Sequence, residues 1–89
     1  MKAVVTVLGK DAVGILASVS SVCAKLNINV TDVSQTILSD LFAMLMAVDM
    51  GGSTATIASF SAELKALCEP MGLVTHVVHE DVFNTMHHV

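Results

Sequence analysis

Residues 2–8, "KAVVTVL", are rich in β-branched and apolar side chains and stop at Gly9, which predicts a first strand. From Val13 the apolar spacing changes to three and four. Leu16, Val19, Cys23 and Leu26 then share one helical face, with Ser18, Ser21 and Lys25 on the other. Asn27 ends this helix, because asparagine tolerates left-handed and turn conformations. Residues 28–38, "INVTDVSQTIL", read as a second strand and residues 41–50, "LFAMLMAVDM", as a third. The turn between them, Ser39-Asp40, is so short that the two strands must be antiparallel. Gly51-Gly52-Ser53 closes the third strand. Ile57, Phe60, Leu64, Leu67 and Met71 predict a second helix with Ser53 or Thr54 as its N-cap. Pro70 falls in its last turn and Gly72 at its end. Residues 73–80, "LVTHVVHE", form a fourth strand, and "DVFNTMHHV" a short helical tail capped by Asp81.

The order β-α-β-β-α-β implies an α+β chain with the ferredoxin-like split arrangement. Four antiparallel strands carry two helices on one face, strands one and three are central, and strands two and four lie at the edges. The third strand agrees with a central place. Phe42, Met44, Met46, Val48 and Met50 alternate with Leu41, Ala43, Leu45 and Ala47, so both of its faces are apolar. The edge strands carry Thr31, Asp32, Ser34, Gln35, Thr36, His76 and His79. With both helices on one face, something else must cover the centre of the other, and a second subunit is the economical candidate.

Composition sharpens this picture. The 89 residues are 54% hydrophobic and 13% charged, against a usual charged share of roughly a quarter. A single domain over 1–89 has few interior positions for so much apolar surface, which again points to self-association. No apolar run is long enough for a transmembrane helix, and the N-terminus lacks a signal-peptide pattern. Four lysines against eight acidic residues, with no Trp or Tyr, leave neither a basic stripe nor stacking platforms, so nucleic acid is not an expected partner. Cys23 and Cys68 stand far apart inside helical patterns and read as buried reduced thiols, which places the chain in the cytoplasm.

The turn in "VLGKDAVGIL" carries the candidate chemistry. Gly9 and Gly14 fit neither a P-loop nor a G-x-G-x-x-G fingerprint, so nucleotide phosphate is disfavoured. Two readings remain. A helix N-terminus starting near residues 12–14 suits a small anion such as a carboxylate, with Gly14 allowing close approach. Alternatively, Gly9 merely ends a strand and Gly14 merely permits close packing of helix on sheet.

The run "VTVLGKDAVGILASVSSVCAKLNINVTDVSQ" resembles the ACT domain, a small regulatory module that senses amino acids. The resemblance rests on Gly9, Asp11, Gly14 and Leu16, on Leu26 and "NINV" at the helix end, and on Gln35 in strand two. The tail "HEDVFNTMHHV" further resembles stand-alone single-ACT-domain proteins of bacteria and archaea. The resemblance implies homodimers with subunits side by side, and a ligand between one subunit's first turn and the neighbour's second strand. Carried over, that pocket uses Asp11, Ala12, Val13, Gly14 and Ile15, with Asn27 and Asn29. An amino acid's carboxylate would meet helix N–H groups, and its ammonium Asp11 or an Asn oxygen. Larger members fuse the domain to an enzyme or DNA-binding region. Nothing in this chain supplies such an output, so the signal would pass to a separate effector protein or would not occur.

Other chemistry is poorly supported. The tail holds His76, His79, His87 and His88, but a spacing of three on a strand sends His76 and His79 to opposite faces, and adjacent histidines in a helix diverge. No zinc spacing is present, and no cofactor motif is found. A metal site combining His79, Asp81 and a tail histidine stands as the alternative to an exposed, packed tail. Ser18, Ser20 and Ser21 have no base at fixed proximity, so no catalytic residue is assigned. The expectation is a non-enzymatic amino-acid-binding regulatory domain. Its alternative is an interaction module that docks on a metabolic enzyme or regulator without a metabolite.

Overall fold

The computed structural model describes residues 1–10 and 14–86. In chain order the elements are β1 (Lys2–Gly9), α1 (Ile15–Lys25), β2 (Asn29–Leu38), β3 (Leu41–Asp49), α2 (Ile57–Cys68), β4 (Val74–His79) and α3 (Glu80–Met86). A 3-10 turn at Glu69–Met71 extends α2 and takes up Pro70. The strands form one antiparallel sheet in the order β2-β3-β1-β4. The ferredoxin-like arrangement read from the pattern is therefore the fold.

The core lies between the helices and one sheet face. Ala3, Val5 and Val7 of β1 and Phe42, Met44, Met46 and Val48 of β3 meet Ile15, Val19, Val22 and Cys23 of α1 and Phe60, Leu64 and Cys68 of α2. Both predicted apolar stripes are wider than what is buried. Leu16, Leu67 and Met71, expected on the core-facing stripes, are 40%, 37% and 41% exposed. The sheet accepts one helical flank only, and Cys68 rather than Leu67 continues the buried row of α2. The N-cap of α2 is Thr56, not Ser53 or Thr54. Thr56 Oγ1 accepts from the Ser59 N–H at 3.0 Å and Ser59 Oγ from the Thr56 N–H at 2.9 Å, a reciprocal capping box. Ser53 is engaged elsewhere, donating to the Leu26 carbonyl at 2.5 Å and accepting from the Ala55 N–H.

Both helices are ended by the same device. Asn27 is left-handed at φ 58, and the Asn27 and Ile28 N–H groups reach back to the Ala24 and Cys23 carbonyls. Gly72 at φ 76 does the same, with Gly72 and Leu73 donating to Glu69 and Cys68. In each case the residue after the left-handed one is buried, which turns the chain into the next strand. Gly9 is the close-packing glycine: a Cβ there would collide with the Leu73 side chain.

On the sheet face away from α1 and α2, the chain supplies part of its own cover. α3 packs on β1 and β4 and leaves Val4 only 9% exposed. Leu8 and Leu41, each 40% exposed, and Val74, 54% exposed, stay open at the other end of that face. The cap of α3 is also not Asp81. His79 Nδ1 accepts from the Asp81 N–H at 3.0 Å, so the last strand residue caps the helix that follows it.

Candidate functional site

The β1–α1 turn leads into α1 through Gly14, which sits in the left-handed region at φ 74. A Cβ added to Gly14 would meet nothing within 4 Å. The glycine is thus required by backbone conformation and not by close packing on the sheet. Its carbonyl accepts the first intrahelical bond, from Ser18 N–H at 2.9 Å. The N–H groups of Ile15, Leu16 and Ala17 precede the helix's own acceptors, and among the described residues no side chain caps them. The first turn holds no acidic residue, so the positive end of α1 keeps its partial charge. α2 is the internal contrast, two of its first N–H groups, those of Thr56 and Ser59, being met by the reciprocal capping box.

The expected site residues do not all meet within one chain. Asp11, Ala12 and Val13 lie outside the described residues. Gly14 is exposed at the start of α1, whereas Ile15 is fully buried and offers only backbone. Asn27 and Asn29 lie beyond the opposite end of α1. Thirteen residues at the helical rise put Asn27 about 20 Å from Gly14. Asn27 Nδ2 is committed to the Gly52 carbonyl at 2.7 Å. That bond borders a shallow polar depression lined by Lys25, Asn27, Thr54 and Ser59, where Lys25 Nζ pairs with Glu63 Oε2 at 3.1 Å. Asn29 is exposed at the start of β2, opposite Asp49.

Of the remaining candidates the fold brings His79 and Asp81 together and leaves His76 apart. His76, paired with Thr6, is exposed, and His79 caps α3, with Asp81 Oδ2 3.7 Å from its Nδ1. His87 and His88 lie outside the described residues. Among the described residues no group of three or more His, Cys, Asp or Glu could hold a metal ion. Cys23 and Cys68 are both buried and unbonded, and burial pushes each thiol above its ordinary range.

One place escaped the sequence reading. Between Val30 and Asp32 the β2–β3 register shifts, leaving Thr31 as a bulge whose Oγ1 donates to the Ala47 carbonyl at 3.1 Å. The bulge reverses the alternation, so Val30 and Val33 both pack toward the core while Asp32 and Ser34 stand on the other face. There they border an open cleft of about 180 Å³ that Phe83 of α3 also lines. The signal was present in "NVTDV": two valines three apart do not fit a regular strand with one buried face.

A split βαββαβ sheet, with both long helices on one face and a first helix reached through a left-handed glycine, defines a ferredoxin-like module. A family profile described as the ACT domain matches residues 2–78. The chain belongs to the ACT domain family, whose members are regulatory modules that often bind amino acids. A UPF0237 protein of Methanopyrus kandleri is 47% identical over 88 residues, spanning 99% of this chain and 98% of that protein. The structure of an ACT domain protein from Streptococcus pneumoniae superposes with a TM-score of 0.82 at 32% identity, covering 93% of both chains. A formyltetrahydrofolate deformylase from Pseudomonas putida shares the fold alone, with a TM-score of 0.78 at 14% identity over 29% of its own chain. No helix among the described residues is long and apolar enough to cross a membrane.

Proposed function

We propose that residues 1–89 act as one non-enzymatic regulatory domain that binds an amino acid as a homodimer. The observation that carries this reading is the unequal treatment of the two helix starts. A reciprocal capping box satisfies the Thr56 and Ser59 N–H groups at the start of α2, while among the described residues no side chain caps the start of α1 behind Gly14. Bare N–H groups at a positive helix end suit a carboxylate. The ammonium of the same ligand needs an acceptor, which Asp11 or an asparagine oxygen provides. Asn27 and Asn29 cannot reach the Gly14 turn of their own chain, so an asparagine acceptor at that turn would come from a second copy. Two buried, unbonded cysteines favour the reducing cytoplasm. A separate effector protein reads the bound state.

The test is thermal unfolding against the twenty amino acids, with zinc and nickel in parallel. A ligand at 100 times its dissociation constant adds about 2.7 kcal/mol, which moves the midpoint by several degrees. Gly14→Phe places a ring in the open approach to the α1 start. It should abolish the shift and leave the sedimenting mass at twice the chain. A monomer in sedimentation, or a shift that survives Gly14→Phe, refutes this reading. A shift with metal alone transfers the role to the histidine-rich tail.

A second reading has its own observation. Leu8, Leu41 and Val74 leave one end of the outer sheet face apolar and open, which suits an interaction module docking on a metabolic enzyme or regulator. It is favoured if no amino acid moves the midpoint.

A further inference from the structure

We propose that the cavity between α3 and the outer sheet face binds a small organic amine with a short branched or aromatic body. This site lies on the opposite side of the sheet from α1 and α2 and does not depend on the ligand proposed for the Gly14 turn.

The lining is mostly apolar: Val4, Leu45 and Ala47 from the two central strands, with Phe83 of α3. A dry apolar cavity of about 150 Å³ holds a benzene-sized body, so the volume of about 180 Å³ fits a chain of similar bulk. One rim is polar, built by Asp32 and Ser34 of β2. The Thr31 bulge creates this polarity, since an unbulged strand would turn Asp32 toward the core and a valine toward the cavity. Asp32 Oδ1 accepts from its neighbour's N–H, Val33, at 2.9 Å. Among the described residues Asp32 has no ion pair: the pairs present are Lys25 with Glu63 and His79 with Asp81. A carboxylate without a cation at the edge of an apolar cavity selects a ligand that is positive at one end and apolar at the other. Ser34 can accept a second ammonium hydrogen.

The test is a ¹H–¹⁵N titration of the full chain with isopentylamine, isopentanol and isovalerate, which share a body and differ in the charge of one end. The amine should shift the amides of Val4, Asp32, Ser34, Leu45, Ala47 and Phe83 along saturating curves, the alcohol should bind more weakly, and the carboxylate should not bind. Asp32→Asn should weaken the amine about tenfold, as loss of a charged hydrogen-bond partner does, and leave the alcohol unchanged. Ala47→Leu fills the cavity and should remove both responses, while Gly14→Phe should affect neither. Equal affinity for amine and alcohol, or an unchanged amine affinity in Asp32→Asn, overturns the ligand class. Shifts that do not saturate, or that centre on the Gly14 turn, overturn the site.

Discussion

The Asn27 side chain donates to the Gly52 carbonyl at 2.7 Å, tying the loop after α1 to the loop after β3. Residue 27 is also the left-handed residue that ends α1. One asparagine thus serves two structural ends, stopping a helix and clamping a neighbouring loop.

These two roles separate by substitution. Asn27→Gly keeps the left-handed backbone and loses only the bond to Gly52, a loss of about 1 kcal/mol. Asn27→Ala loses the bond and adds the left-handed penalty, about 2–3 kcal/mol together. Urea unfolding of both variants should rank them in that order. Equal losses would mean that the backbone conformation at residue 27 contributes nothing.

Gly9 and Leu73 form a second coupled pair, because the Leu73 side chain occupies the space a Cβ at Gly9 would need. Gly9→Ala should destabilise by about 1–3 kcal/mol through overpacking. Leu73→Val loses burial when made alone, but it should recover part of the Gly9→Ala loss in the double variant. A double-mutant cycle with no coupling would disprove the contact.

Ser39 opens the two-residue β2–β3 turn at φ 57, where a side chain is unfavourable. Ser39→Gly removes that penalty and should raise stability by up to about 1 kcal/mol, read from the denaturation midpoint. A lower midpoint would place the penalty elsewhere.

Thr75 is 3% exposed, packs on the core side of β4, and its Oγ1 is buried without a hydrogen-bond partner among the described residues. Thr75→Val replaces the orphaned hydroxyl with a methyl of similar size. It should stabilise by about 1 kcal/mol, where most core substitutions destabilise. A loss on thermal unfolding would show that the hydroxyl has a role in the fold.

Burial raises both thiols above their ordinary 9.0. Above pH 9 the unfolded chain therefore releases thiol protons that the folded chain keeps. Their contribution is complete below pH 9 and is lost as pH rises through the higher folded values. Urea midpoints should fall above pH 9, and less steeply in a Cys23→Ala/Cys68→Ala variant. A thiol reagent should find no reactive cysteine in the native chain and two in urea.

The sequence by itself determined the order of elements, the central place of β3 and the left-handed stop at Asn27. Apolar alternation, turn chemistry and helical spacing are local properties, and each is written in adjacent residues. It also determined the family, through the Gly9–Gly14 turn and the "NINV" that follows α1. Only the tertiary structure decided what depends on a third element's position. The sheet chose which flank of each helix was buried, leaving Leu16 and Leu67 outside. Gly9 proved to be held by Leu73, which is 64 residues away in sequence and adjacent only once β4 pairs with β1. Helical geometry put Gly14 and Asn27 at opposite ends of α1, so a ligand that uses both needs a second chain. The bulge at Thr31 turned Asp32 outward because β2 had to stay in register with β3 while burying both Val30 and Val33.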